Sequence, residues 1–405
     1  MDISESVNRV CIVGAGPAGV VLSLLLARQG IPVTLLEAQA DFDRDFRGDT
    51  LHASSLEILD QIGLAERVLE LCHAKIDRFQ FTTGQEQITL ANFSHLESKF
   101  PYVALIPQEK FLSFLTEEAR KIPNFQLVMN AKFHDLIMES NKICGVTYMK
   151  EGVEHKVVAY LTIGADGRGS RVRDKAGIKL GKTTPPMDVI WFKLPRGKNT
   201  GSGNATGGRF GTGTMLAILD RGNEFQVGFV ILKGSYKALR EAGIKALHNE
   251  LIYLAPELKE SVTELKDWSQ CSILSVVTGR VECWYKSGLL LIGDAAHVMS
   301  PVGGVGVNYA IHDAVAAANI LTGPLLKQNV TEMDLAEVQL RRERPVRFIQ
   351  SIQSIIQRRI IAGALNSGKP FRPPLLVRVL TRFHFFQKTM ARTMAYGIQP
   401  ERLKN

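Results

Sequence analysis

The sequence has few cysteines, and they are not arranged for chemistry. Five occur in 405 residues, at positions 11, 72, 144, 271 and 283, with no Cys-x-x-Cys pair and no histidine beside them at metal-ligand spacing. A disulfide scaffold and a structural zinc site are thereby excluded, no metal is expected, and a reducing compartment fits. Long hydrophobic runs are also missing: none approaches the ~20 residues that a membrane-spanning helix needs. The polar start, Met-Asp-Ile-Ser-Glu-Ser, lacks the basic-then-apolar order of a secretory signal, so a cytoplasmic protein is expected. Acidic residues are absent from one long stretch. Arg344 to Pro400 carries ten basic residues and no acidic one, whereas residues 1–330 hold 35 of each sign. The net charge of +9 therefore belongs to the C-terminal segment alone.

What is present suits a globular chain. Hydrophobic residues make up 45% and charged residues 22%, the length suits two domains or one with a large insertion, and 35 glycines imply many tight turns. The stretch Leu289 to Ala310 sets the organisation. Leu289 to Ile292 reads as a buried parallel strand, Gly293 turns the backbone, and Asp294 faces whatever lies beyond. Gly303, Gly304 and Gly306 then leave bare peptide groups able to approach a flat or anionic ligand before a helix that begins near Val307.

The N-terminus repeats that logic. A short β-prone run ends at Val13 and gives way to Gly14-Ala15-Gly16-Pro17-Ala18-Gly19, a helix follows from about Pro17 to Gln29, and Gly30 sits where a C-terminal glycine stops it. Pro32 to Leu36 is a second strand, ending in Glu37. Strand, glycine turn, helix, strand and acidic residue make the dinucleotide-binding βαβ unit. Gly14 serves the turn, Gly16 lets a pyrophosphate approach the helix N-terminus, Gly19 permits close helix-to-strand packing, and Glu37 would accept from a ribose. A bare glycine turn with no ligand would not need the strand, helix and acidic residue in these places.

Phe46-Arg-Gly-Asp-Thr-Leu-His52 leads into an amphipathic helix from about Ser54 to Gln61. Pro107 opens another helix where proline costs least, with Gln108 in its first turn. Strands are expected near Phe125 to Met129, Phe133 to Met138, Ile143 to Tyr148 and Val157 to Ile163. The last runs into Gly164-Ala-Asp166-Gly, so a second acidic turn could meet the same ligand as Asp294, although Asp-Gly is also a common plain turn. Residues 181–280 change character, with strand-like runs at Val189 to Leu194, Thr214 to Leu219 and Phe225 to Leu232 and a helical pair from Tyr236 to Leu254. Trp191, Arg209, Phe210 and Met215 are candidate wall residues there.

From Thr331 helices dominate. Ile349, Ile352, Ile356 and Ile360 share one face by spacing, and Leu375, Leu376, Val379 and Phe383 another, beside Arg378 and Arg382. Two readings stand: helices packed on the dinucleotide-binding domain or on a second subunit, or a basic amphipathic surface, within residues 344–400, that visits anionic lipid at the membrane periphery. No nucleic-acid partner is expected, because stacking platforms and a recognised nucleic-acid fold are missing.

With Gly14-x-Gly-x-x-Gly19, Asp166-Gly167 and Gly293-Asp294 in that order, the sequence resembles the single-component flavoprotein aromatic hydroxylases, whose best-known member is p-hydroxybenzoate hydroxylase. The likeness runs from about residue 8 to 325. Phe46 to His52 and the ending Gly397-Ile-Gln-Pro-Glu-Arg also resemble a bacterial branch described as FAD-dependent oxidoreductases.

The resemblance implies an α/β fold: an FAD-binding Rossmann-like βαβ domain from residues 1–75, 107–180 and 281–330, with a β excursion at 76–106. An inserted, mostly antiparallel β substrate domain would occupy 181–280, and a basic helical C-terminal segment 331–405. It assigns Gly14, Ala15, Gly16, Pro17, Ala18 and Gly19 to the FAD pyrophosphate turn, Glu37 to the ribose, and Gln108 to the cofactor from its helix. Arg47 would stand near flavin and nicotinamide donor, and Asp166 would serve both. Gly293 and Asp294 would meet the ribityl chain, and Gly304, Gly306, Val307 and Asn308 the pyrimidine end of the ring. Pro301 would lie at the flavin edge where dioxygen reacts, so Arg47 and Pro301 are the catalytic candidates. Asp49 and His52 depart from the hydroxybenzoate enzymes, so those substrate contacts do not carry over.

The implied reaction is reduction of bound FAD by NADPH or NADH, which docks transiently, followed by oxygen transfer through a flavin hydroperoxide to an aromatic, quinone or polyketide-like molecule. A flavin halogenase is disfavoured, because Trp191-Phe-Lys-Leu-Pro195 lacks the second tryptophan of that family's signature. The same three motifs also suit a geranylgeranyl-type flavin reductase acting on lipid, and the basic tail alone would suit an FAD-containing protein that binds membrane surfaces.

Overall fold

The computed structural model describes residues 9–43, 50–71, 74–84, 86–197, 206–366 and 371–404. Val10–Val13 is buried at every position, as a central strand covered on both faces requires. It lies in a six-stranded sheet whose order is Tyr285–Lys286, Leu289–Leu291, Leu161–Gly164, Val10–Val13, Val33–Leu36 and Phe125–Val128. All neighbours pair in parallel except the short edge strand Tyr285–Lys286. Helices α1 (Pro17–Arg28), α2 (Gln108–Arg120) and α3 (Gly306–Leu326) accompany it, with α1 packed against both others. The parallel order sets the ends of four strands side by side: Val13 before Gly14, Leu36 before Glu37, Gly164 before Asp166, and Leu291 before Asp294.

A second sheet of seven strands runs Ser272–Ser275, Met187–Pro195, Glu224–Leu232, Met215–Asp220, Gly207–Phe210, Arg78–Thr83 and Glu86–Asn92. Its pairings are antiparallel apart from Gly207–Phe210 against Arg78–Thr83. The period-two alternation gives it two faces. Ile190, Phe192, Phe229 and Leu216 pack under the helix Ile244–Leu254, while Val189, Trp191, Val230 and Met215 pack toward the C-terminal segment. The α/β class, the mostly antiparallel second sheet and the helical C-terminus are therefore all present.

One expectation fails on local grounds and another is incomplete. The run from Val157 to Ile163 is not one strand: Val153–Val158 ends an antiparallel three-stranded sheet, and Leu161–Gly164 begins in the parallel one. Ala159 still bonds Cys144 and Tyr160 already bonds Arg9, so the chain changes sheets between adjacent residues, which apolar content cannot reveal. In the last turns of helix α4 (Glu332–Ile355) and the π-helical turn Ile356–Ile361, the buried residues are Ile349, Gln353, Gln357 and Ile361, while Ile352, Ile356 and Ile360 of the face read from spacing are half-buried. Two glutamines are buried because each finds hydrogen-bond partners on the residue 300 loop, and Ile355 is left exposed. Helix α4 packs on α3, and α6 (His384–Tyr396) packs on Glu86–Asn92; between them lies α5 (Leu375–Leu380).

Candidate flavin site

The site grows from the glycine turn. Gly14 has φ +103°, and a Cβ there would sit 2.5 Å from the Ala165 carbonyl oxygen and 2.7 Å from Asp166 Cα, so the first motif lies directly on the second. A Cβ on Gly19 would stand 2.0 Å from the Gly14 oxygen, whereas one on Gly16 would meet nothing within 4 Å. Gly16 therefore faces open space at the start of α1. That helix has Pro17 in its first turn, no side-chain cap and no acidic residue there, so its N-terminal field is free to act on an anion. Gly293, with φ +60°, comes close to Ala18 and to Ala310 of α3, which brings the third motif onto the first.

Glu37 is 4% exposed, and its two carboxylate oxygens accept from the Ala15 and Gln39 amides at 2.9 and 3.0 Å. A carboxylate oxygen can accept more than one hydrogen bond, so a hydroxyl is a chemically suitable ligand here. Asp166 accepts from Ser170 Oγ at 2.5 Å and the Val172 amide at 3.1 Å, which ties down the loop before Arg171. Burial pushes its pKa up, against those hydrogen bonds. Asp294 is partly exposed and stands 3.7 Å from the Arg168 guanidinium, so the two acidic turns adjoin.

Pro301 begins a turn through Gly303 (φ +82°) and Gly304 (φ +60°), and Pro301, Val302, Gly303, Gly304, Gly306 and Val307 are all half-buried, an irregular rim open on one side. A Cβ on Gly304 would be 2.5 Å from Thr50 Oγ1. Asn308 is buried, and its side chain is fully committed to the protein. It donates to the Thr50 and Gly304 carbonyls and accepts from the His52 amide and Ser55 Oγ, so only its backbone is available to a ligand. Gln108 stands half-buried in the first turn of α2. Arg47 and Asp49 lie outside the described residues.

Other supporting side chains were not singled out from the sequence. Asp313 on α3 is fully buried and accepts from the Gly293 amide at 3.0 Å, His297 Nε2 at 2.6 Å and Arg342 Nε at 2.9 Å. Burial raises its pKa, but His297 and Arg342 overcome that and hold it below the usual carboxylate range. Arg173, 2% exposed, donates to the Ala295 and Arg168 carbonyls and so joins the two acidic turns. Gln353 receives the Ser300 amide and donates to the Ser300 and Val302 carbonyls, while Gln357 donates to Ser300 Oγ at 2.5 Å. Buried polar groups with partners far along the chain were the available signal, and single-sequence spacing does not supply the partner.

The open Gly16 cradle, the uncapped helix, hydroxyl acceptors at Glu37 and Asp294 and the glycine rim fit a dinucleotide carrying a flat ring. The family described as an FAD binding domain matches residues 8–344. The chain belongs to that family. Across 402 residues this flavoprotein is 31% identical to 6-methylpretetramide 4-monooxygenase of Streptomyces rimosus, covering 98% of the chain and 94% of that protein. It is 26% identical to digeranylgeranylglycerophospholipid reductase 1 of Methanococcoides burtonii, covering 82% of the chain and 78% of that protein. The solved structure of p-nitrophenol 4-monooxygenase from Pseudomonas putida matches with a TM-score of 0.77 over 95% of this chain and 96% of that one; at 18% identity it speaks for the fold alone. The protein is an FAD-dependent monooxygenase of the aromatic hydroxylase kind, and FAD is its cofactor. Among the described residues no group of His, Cys, Asp or Glu could hold a metal, and no helix is long and apolar enough to cross a membrane.

Proposed function

We propose that this monooxygenase hydroxylates a flat, largely apolar, polycyclic phenol or quinone of the polyketide type. One observation carries the reading: Val189, Trp191, Val230 and Met215 of the seven-stranded sheet form one apolar cluster with Ile361, Leu365 and Val302, next to Pro301. Phe210 stacks on Phe371 at 4.7 Å on the same side of that sheet. Arg209 turns away and pairs with Glu257 at 3.1 Å, so this wall selects by shape and apolar area rather than through that charge. The relative that acts on 6-methylpretetramide supports the same substrate class.

In this reading the N-terminus of α1 receives the pyrophosphate at Gly14 to Gly19, and Glu37 accepts from the adenosine ribose. Asp294 accepts from the ribityl hydroxyls, Asp166 serves both FAD and the nicotinamide donor, Arg173 holds the two acidic turns together, and Gln108 reaches the cofactor from α2. The Gly304 to Asn308 backbone covers the ring, and Pro301 shapes its oxygen-facing side. Bound FAD supplies hydride acceptance from NADPH or NADH and activation of dioxygen. The protein contributes position and a dry wall, with no compact catalytic triad.

The test is stopped-flow and oxygen-electrode measurement with a panel of polycyclic phenols. A matching compound should accelerate NADPH oxidation, consume dioxygen and emerge heavier by one oxygen atom. NADPH oxidation without dioxygen uptake, with saturation of an isoprenoid double bond, would instead establish the reductase reading that the Methanococcoides burtonii relative raises.

A further inference from the structure

Helix α5 buries none of its residues. Leu375 is 73% exposed, Leu376 68%, Phe383 60% and Phe385 83%, and Val379 completes a run of large apolar side chains turned to solvent between α5 and the start of α6. Such a patch marks an interaction surface. Its charge is one-sided: no acidic residue occurs between Arg344 and Pro400. Arg378 and Lys388 are answered by Glu86 at 3.0 Å and Glu97 at 2.8 Å, which pin the two helices to the body of the protein. Arg372 and Arg382 stay exposed at the patch itself, and Arg392 lies farther along α6, within the field of Glu97.

We infer that the α5–α6 turn is a docking surface for an anionic lipid bilayer. A second copy of the chain, meeting the patch through the same face, would set Arg372 and Arg382 against their own equivalents with no carboxylate on the segment to answer them. A nucleic acid would answer the arginines but leave Leu375, Leu376 and Val379 in water. A bilayer with anionic headgroups meets both demands: the apolar side chains enter the acyl boundary while the arginines remain among phosphates. The surface is also anchored where substrate would arrive. Phe371, just before α5, stacks on Phe210, and its carbonyl accepts from Thr83 Oγ1, so docking holds the substrate sheet at a phase in which apolar compounds collect. Binding itself is independent of which compound is hydroxylated.

The experiment sediments the FAD-loaded full chain with vesicles of phosphatidylcholine, with and without phosphatidylglycerol, at low salt. Binding should require phosphatidylglycerol and weaken as salt rises. The pair Leu376→Ser and Phe385→Ser, and separately the pair Arg372→Gln and Arg382→Gln, should each lower partitioning by about tenfold or more. Flavin absorbance and the unfolding temperature should stay unchanged in both, since these side chains are exposed. Absence of binding to anionic vesicles, or binding undiminished in both variant pairs, overturns the inference. A concentration-dependent dimer that Leu376→Ser with Phe385→Ser dissolves assigns the face to a second copy and overturns it equally.

Discussion

At the scale of single residues, the two carboxylates proposed to bind FAD differ in what else they do. Glu37 accepts from two backbone amides in a buried position, whereas Asp294 is partly exposed and stands 3.7 Å from the Arg168 guanidinium. Glu37→Gln would leave one of those amides facing an NH2 group. It should cost about 1–3 kcal/mol of stability as well as FAD retention, read from thermal melts of the apoprotein and flavin absorbance after gel filtration. Asp294→Asn should lower FAD retention while leaving the apoprotein melt unchanged within error; a variant that stays fully yellow would contradict its role. The glycine turn, Glu37 and Asp294 were legible in the sequence because their chemistry is local, a strand followed at once by a turn. Asp313 and Arg173 were not, because Arg342 lies 29 residues from the first and Ala295 lies 122 from the second.

At the scale of elements, the C-terminal helices act on the residue 300 loop rather than trailing from it. Gln353 and Gln357 hold Ser300 and Val302 on either side of Pro301, from a place where α4 passes into a π-helical turn. Such turns frequently occur at functional sites. Gln353→Leu removes an acceptor and a donor from buried backbone and should cost about 1–3 kcal/mol. If the Pro301 loop shapes the oxygen-facing side, it should also raise the ratio of hydrogen peroxide to hydroxylated product, while FAD affinity changes little. An unchanged ratio would limit the glutamine to a structural part. Helical spacing put Ile349, Ile352, Ile356 and Ile360 on one face, of which Ile349 is buried and the others half-buried. It could not show Gln353 and Gln357, because spacing reports apolar content and hydrogen bonds bury these two.

At the scale of the whole molecule, the last residues clasp the nucleotide-binding body through buried polar groups. His52 hydrogen-bonds the Met394 carbonyl, His312 Nδ1 accepts from the Glu401 amide, and Glu401, 2% exposed, pairs with Arg341 and Arg342. Burial lowers the His52 pKa to about 4; burial and then the Arg342 charge lower that of His312 to about 3. With both folded-state values below the unfolded value of about 6.5, the unfolded chain binds more protons in the window between. The stability these neutral histidines contribute is therefore complete above about pH 6.5 and is lost as pH falls toward 4 and then 3. Each histidine should remove roughly 2 kcal/mol between pH 6.5 and 5, seen as a falling unfolding temperature. His312→Gln should flatten that dependence, and a pH profile identical to that of the parent would refute the assignment. Arg342 belongs to the same clasp. Arg342→Met leaves Asp313 buried with His297 as its remaining side-chain partner, at a cost of about 3–5 kcal/mol. Because Asp313 also holds the Gly293 amide, FAD should dissociate more readily than the lost stability alone predicts. Flavin release measured against the melt of the same variant separates the two effects, and release in step with stability would mean that the clasp supports the fold without positioning the Gly293 turn.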